Sequence, residues 1–267
     1  MINAIVFSKD RACQLELLLN SIKLNADNIF NIKVIYIFSG EEFKQGYEKL
    51  SVLYPEVKWI RQIGNFKNDV LIALNSDVTK YSCFFTDDDI IYKSISETDL
   101  VEKMESDQEA ICFSLRLGKN VDICYTANQT NQVNVTFSDE KFMQWNWKHN
   151  RFDFGYPLSV DGHIFRTSEI AKMTKAINFS NPNTYEANLQ TFNSFPKENM
   201  WAYTHSVLVN SPANVVQIVF NNRNGEQFGF TTKELNDLFL SGKKISIADM
   251  DFKNIRGCHQ ELQYKFT

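Results

Sequence analysis

The chain has 267 residues, 43% hydrophobic and 22% charged, enough for one large α/β domain with a filled core or for a core domain with a small appendage. A formal net charge of −4, with 28 basic residues spread without a cluster, argues against a nucleic-acid polyanion as the main ligand. No apolar run approaches membrane-spanning length and the first strand follows almost directly on Met1, so the expected setting is the cytoplasm, with peripheral contact to a membrane left open.

The first half of the chain alternates strands and helices. Residues 4–7 read as a strand, Ser8-Lys9-Asp10-Arg11 as a polar loop, and Leu15, Leu18, Leu19 and Ile22 as the apolar stripe of a helix. A second strand over 34–38 leads to a helix carrying Phe43, Tyr47, Leu50 and Tyr54; a third strand over 57–63 leads to a helix over 66–78. Residues 81–89 are a short apolar strand that runs into Asp87-Asp88-Asp89, Ser96 with Asp99 marks a helix start, and 111–115 returns as a strand. Strands and helices of this length predict an α/β fold with a mostly parallel sheet flanked by helices.

The second half is less regular. Residues 120–148 read as a long excursion from the sheet, with a short alternation over 133–137 and then Met143, Trp145 and Trp147. A strand over 158–165 is interrupted by Asp161-Gly162-His163, Thr167 is placed as the cap of a helix, and another helix is expected near Thr184. Short strands over 207–209 and 215–220 precede a late helix that starts at a Thr231–Glu234 capping box and ends at Gly242. Asp249-Met-Asp251 reads as a surface turn. Five cysteines, Cys13, Cys83, Cys112, Cys124 and Cys258, include no C-x-x-C pair and sit mostly in apolar surroundings, which fits reduced thiols.

The aspartate triplet carries the chemistry. In an extended backbone Asp87 and Asp89 leave the same face, and negative charges crowded at the mouth of a buried strand are costly unless a cation or hydrogen-bond donor sits among them. Oxygen-only ligation suits Mg2+ or Mn2+. In open α/β sheets, moreover, ligands bind beyond the carboxyl ends of the strands.

An amino-terminal strand followed by Ser8-Lys9-Asp10-Arg11, several strand and helix units, and a strand ending in Asp87-Asp88-Asp89 resembles the nucleotide-binding half of GT-A glycosyltransferases, in the pattern of the simplest bacterial members. The resemblance implies a single GT-A-like domain over 1–267, with 1–120 as the nucleotide-sugar half and 121–267 as a more irregular acceptor half. It implies a nucleotide-diphosphate sugar donor of the UDP or GDP type, a Mn2+ or Mg2+ ion at its phosphates, and transfer to a hydroxyl of a carbohydrate or lipid-linked acceptor, as in bacterial surface polysaccharide synthesis. By the same resemblance Asp87 meets the ribose and the metal, Asp89 meets the metal, Asp88 belongs to the nucleotide site without a fixed role, and Ser8, Lys9, Asp10 and Arg11 lie against the nucleotide. Lys67 is a further candidate at its border. Arg116 is a phosphate candidate because a guanidinium in apolar surroundings needs an acidic partner. His205 is a possible third metal ligand, as a carboxyl-terminal His serves in some relatives.

Two carboxylates compete for the catalytic base: Glu186, at a helix start where inverting relatives keep an acid, and Asp161, whose Asp-Gly turn breaks an apolar run. The usual Glu-Asp pair ahead of the base is absent, which leaves the stereochemistry open. Trp145, Trp147 and Tyr156, with Asp153, are what a sugar-binding wall is made from. Two alternatives stay open: a sugar nucleotidyltransferase, although the loop after the first strand has no glycine, and a non-catalytic nucleotide-sugar or carbohydrate-binding protein of the same fold.

Overall fold

The computed structural model describes residues 1–216 and 225–267. The first half forms as its periodicity predicts, with strands somewhat longer or shorter than the apolar runs: β1 (Ile2–Lys9), α1 (Ala12–Asn25), β2 (Phe30–Ile37), α2 (Glu41–Leu53), β3 (Lys58–Arg61), α3 (Phe66–Asn75), β4 (Tyr81–Thr86), β5 (Asp89–Ile91), α4 (Glu97–Ser106) and β6 (Ala110–Ser114). The side chains of Asn65 and Ser96 cap α3 and α4 by accepting from the backbone N–H three residues on, satisfying donors that the helices leave open.

The second half contributes a small hairpin, β7 (Ile123–Cys124) with β8 (Gln129–Thr130), then β9 (Val135–Ser138), β10 (Phe142–Asn146), β11 (His163–Arg166), α5 (Thr167–Ala176), α6 (Pro182–Leu189), β12 (Asn199–Tyr203), β13 (Leu208–Asn210) and α7 (Thr232–Leu240). Two capping boxes start helices here: Asn181 with Thr184 for α6, and Thr231 with Glu234 for α7. Thr167 is the first residue of α5 rather than its cap, a place held by Arg166. The strand expected over 215–220 lies mostly outside the described residues. Asp249 and Asp251 are exposed on a surface turn, as expected.

Among the described residues the main sheet has nine strands, in the order β3-β2-β1-β4-β11-β6-β12-β10-β9. Strands β3, β2, β1 and β4 are mutually parallel, and β12 is parallel to β6. Strand β11 runs antiparallel between β4 and β6, so the second half of the chain is inserted into the middle of the sheet. The excursion over 120–148 likewise rejoins the sheet, because β10 pairs with β12 and carries β9 on its outer side. Apolar residues on both faces of β10, with Met143 and Trp145 fully buried, account for this better than a solvent loop does.

Alternation along β1 divides the core into two layers. Ala4 and Val6 pack with α1, α2, α4 and α7 on one face; Ile5 and Phe7 pack with α3, α5 and α6 on the other. With both faces covered, the carboxyl ends of β1 and β4, side by side at the Phe7–Thr86 pairing, form the natural mouth for a ligand. Among the described residues no helix is long and apolar enough to cross a membrane.

Candidate functional site

Strand β1 runs through Ser8 and Lys9, which are therefore not loop residues, and the connection to α1 shrinks to Asp10 and Arg11. Asp10 takes a left-handed conformation, φ 56°, tolerated by aspartate at a small cost. Its carboxylate accepts from both the backbone N–H and the hydroxyl of Ser39, tying the end of β1 to the chain after β2. The kink turns Arg11 inward. Its Nη1 reaches Asp87 and Asp88, each at 2.9 Å; Nε donates to Asn214 Oδ1 at 2.7 Å and Nη2 to the Asn214 carbonyl. Ser8 is bonded to the Tyr47 hydroxyl and its side chain also favours the charged form of Asp87 by hydrogen bonding; Lys9 reaches Asp87 through its backbone N–H, at 3.2 Å; the Lys67 side chain donates to the carbonyl of Lys175 instead.

The triplet is not extended. Strand β4 ends at Thr86, Asp87 and Asp88 form a turn, and Asp89 opens β5, so Asp87 and Asp89 do not share a face as the spacing predicts. The cause is local: Asp89 Oδ2 reaches back to accept from the Thr86 N–H at 2.9 Å, closing the turn while Asp87 and Asp88 face Arg11. Asn210, at the end of β13, places its amide nitrogen within 3.0 Å of Thr86 Oγ1, 2.8 Å of Asp88 Oδ1 and 3.1 Å of Asp89 Oδ1. All three aspartates are buried. Burial, only partly offset by Arg11, pushes Asp87 up to about 6. Burial and the charges of Asp161 and Asp88 hold Asp89 well above the usual carboxylate range.

A second cluster adjoins the first. Gly162 has φ 67°, and a Cβ there would meet the Leu208 side chain at 2.8 Å; this turn sets Asp161 over the end of β4. Asp161 Oδ1 accepts from Thr86 Oγ1 at 3.1 Å, and Oδ2 lies 3.2 Å from Arg116 Nη1 and 3.4 Å from His259 Nε2. Burial alone raises its pKa, but His259, Arg116 and Thr86 outweigh it and bring Asp161 down to about 2. Asp161 also raises His259 against the opposite pull of burial. Glu186, one turn into α6, accepts from Ser159 Oγ at 2.7 Å and Val160 N at 3.2 Å. Burial and the Asp161 charge raise its pKa, with Arg116 opposing. Arg116 thus has the acidic partner that its surroundings demand, in Asp161 rather than in an aspartate of the triplet.

Sequence reasoning missed Asn210, Asn214 and His259. His259 sits on a segment strapped to β13, where the Asn210 N–H donates to Cys258 O and the Gln260 N–H to Asn210 O. A histidine from the end of the chain does enter the site, but it is His259. His205 is exposed, with a ring nitrogen 3.1 Å from the Ser206 carbonyl. Among the expected sugar-wall residues Trp145 is fully buried, its indole N–H donating to Phe154 O, and Asp153 is buried against Asn131. Trp147 and Tyr156 instead line a cavity beside α6.

The triplet's donor set is all oxygen, and its negative charge exceeds the single guanidinium facing it, which is the chemistry that suits Mg2+ or Mn2+. Among the described residues no group of three or more His, Cys, Asp or Glu side chains forms a ready-made metal cage. Such ions need none, since they keep one or two carboxylates and complete their shell with water and phosphate.

No family model matches the chain. In sequence it is 26% identical over 213 residues to the bifunctional glycosyltransferase pgtA of Dictyostelium discoideum, covering 70% of this chain and 28% of that protein's length. In structure it is similar to a 1–349 fragment of S. aureus TarS in complex with UDP, with a TM-score of 0.50 and 16% identity over 78% of this chain and 60% of that one. A mannosyltransferase from Pyrobaculum calidifontis, in complex with GDP-Man and Mn2+, aligns more loosely, with a TM-score of 0.45 and 10% identity over 77% of this chain and 54% of that one. The resemblance read from the sequence is borne out: the chain is similar to glycosyltransferases, with a mixed α/β fold of the GT-A type.

Proposed function

We propose that the protein transfers a sugar from a nucleoside diphosphate sugar, of the UDP or GDP type, to an acceptor hydroxyl. The observation that carries this reading is the meeting, through Thr86, of two buried clusters: an anionic turn at the carboxyl end of the parallel strands and a carboxylate–arginine–histidine group that joins Arg116, just after β6, to Asp161 and His259 of the second half. The first suits a polyphosphate accompanied by a cation; the second suits proton transfer at the reacting centre.

Asp87 and Asp89, with Asp88 beside them, would hold a divalent cation, which when bound supplies positive charge at the departing diphosphate. Arg11 keeps Asp87 and Asp88 oriented and supplies part of the countercharge. Glu186 is the base that the geometry favours. One of its oxygens is fixed by Ser159 and Val160, and its raised pKa moves it toward the range where a carboxylate both accepts and releases a proton efficiently. It takes the proton of the acceptor hydroxyl as that oxygen bonds to the anomeric carbon; the bond from that carbon to the diphosphate oxygen breaks, and the electron pair leaves with the nucleotide. Asp161, held charged by two cationic partners, is a weak base and serves to position Arg116 and His259.

A sugar nucleotidyltransferase is disfavoured by the connection between β1 and α1, which is Asp10 and Arg11 alone, with no glycine loop to wrap a triphosphate. The test is release of UDP or GDP from a panel of nucleotide sugars, with Mn2+ and hydroxyl acceptors, followed by product mass. A hexose increment on an acceptor supports transfer. Nucleotide binding without turnover across the panel contradicts it and favours a non-catalytic binding protein.

A further inference from the structure

The cavity beside α6 has a volume of about 260 Å3 and is walled by Tyr156, Leu158, Gln190, Phe192 and Asn193 over Trp147. This is below the roughly 300–1,000 Å3 of sites for drug-sized ligands, so it suits one small ring rather than an oligosaccharide or a lipid chain. The lining holds no charged side chain, which excludes a phosphate or carboxylate as the group bound inside. What remains is three aromatic side chains, the exposed Asn193 amide, and the Gln190 amide, whose nitrogen already donates to protein carbonyls; aromatic faces cover the apolar side of a pyranose and the Asn193 amide can meet its hydroxyls.

The placement gives the cavity its meaning. Gln190 lies four residues after Glu186, about one helical turn or ~6 Å along the axis. Its amide nitrogen donates to the backbone carbonyls of Leu158 at 2.8 Å and Glu186 at 3.2 Å, so one side chain ties the opposite wall to the backbone of the turn that carries the candidate base. The loop that forms the opposite wall, 155–158, runs on into Ser159 and Val160, which hold the Glu186 carboxylate. The Tyr156 phenol sits against Gln190 and senses the charges of Glu186, Arg116 and Asp161. The cavity is thus walled by a residue one helical turn after Glu186 and by the loop that leads to the two groups holding its carboxylate.

We infer that this cavity is the acceptor subsite and that the acceptor presents a neutral hexopyranose there, with one of its hydroxyls directed at Glu186. The inference rests on the transferase reading for its purpose, although ligand binding tests it separately. The probes are methyl glycosides of glucose, galactose, mannose and N-acetylglucosamine, titrated by saturation-transfer NMR against the whole chain, with UDP and GDP binding measured on the same samples by calorimetry. At least one glycoside is expected to bind, with transfer strongest to the ring protons of one face. Asn193 is exposed, so Asn193→Trp fills the cavity without disturbing the core and should weaken that glycoside by roughly tenfold or more. Phe192→Ala, which removes a wall, should weaken it by several-fold, and the filling variant decides if Phe192→Ala unfolds. Binding of UDP or GDP with no binding of any glycoside overturns the subsite and leaves the transferase reading standing. Glycoside binding that neither variant changes also overturns it. Glycoside binding with no nucleotide binding keeps the subsite and overturns the transferase reading.

Discussion

Two arginine–carboxylate clusters lie on either side of Thr86, and they are balanced in opposite ways. Arg11 faces two aspartates of a triplet, and burial, with the negative charge left over, pushes Asp87 up to about 6 and holds Asp89 well above the usual carboxylate range. Arg116 and His259 converge on one carboxylate, and Asp161 falls to about 2 although burial alone would raise it. Burial raises the carboxylates of both clusters, and what separates their outcomes is the count of cations against anions around each. A cluster short of positive charge is ready to accept more, as a nucleotide diphosphate arriving with a cation provides. The balanced cluster has nothing to gain from such a ligand and instead frames Glu186.

Removing the base gives the largest effect expected from this contrast. Glu186→Gln keeps the bonds from Ser159 and Val160 in reach of an oxygen and should lower the turnover of sugar transfer by roughly two to four orders of magnitude, with nucleotide affinity retained. Steady-state kinetics and calorimetry on the same variant check this. If Glu186→Gln turns over at the wild-type rate and Asp161→Asn is inactive, the roles of Glu186 and Asp161 are reversed.

Removing the guanidinium from the anionic side comes next. Arg11→Ala leaves Asp87 and Asp88 buried without their cation and should cost about 3–5 kcal/mol of stability, read by denaturant unfolding. Mn2+ should restore more of the thermal midpoint in Arg11→Ala than it adds to wild type, because the ion and the guanidinium answer the same surplus of charge. An equal shift in both proteins breaks the contrast.

Acid separates the balanced cluster by sign. A carboxyl whose folded pKa lies below its unfolded value contributes stability above the unfolded pKa and loses it as pH falls through the folded one. For Asp161, from 3.8 to about 2, the contribution is about 2 kcal/mol at neutral pH, lost between pH 4 and 2. Unfolding curves across that window should fall more steeply for wild type than for Asp161→Asn.

The two halves of the chain differ in how much of this could be read in advance. In the first half, apolar residues at helical spacing, such as Leu15, Leu18 and Ile22, and strand runs ending in polar residues place the elements within a few positions. The aspartate triplet is equally visible, but its turn is not, because Asp89 capping Thr86 is a choice made by one local hydrogen bond. The second half enters the same sheet out of sequence order, β11 between β4 and β6, through strands of four or five residues that carry little periodic signal. Asn210 reaches Asp89 of the triplet from 121 residues away in sequence, Asn214 reaches Arg11 from 203 residues away, and His259 joins through Asp161; no local pattern marks them. Arg116 and Asp161 were legible as candidates; that they pair with each other had to come from the fold.

The claim that the Arg11 side is a donor site short of positive charge is tested most directly by calorimetry of UDP and GDP with wild type and Asp89→Asn, in Mn2+ and in excess chelator. The account predicts that one nucleotide binds wild type in Mn2+, that chelator removes most of the affinity, and that Asp89→Asn lowers affinity for metal and nucleotide together. Equal nucleotide affinity in chelator and in Mn2+, unchanged in Asp89→Asn, would contradict it.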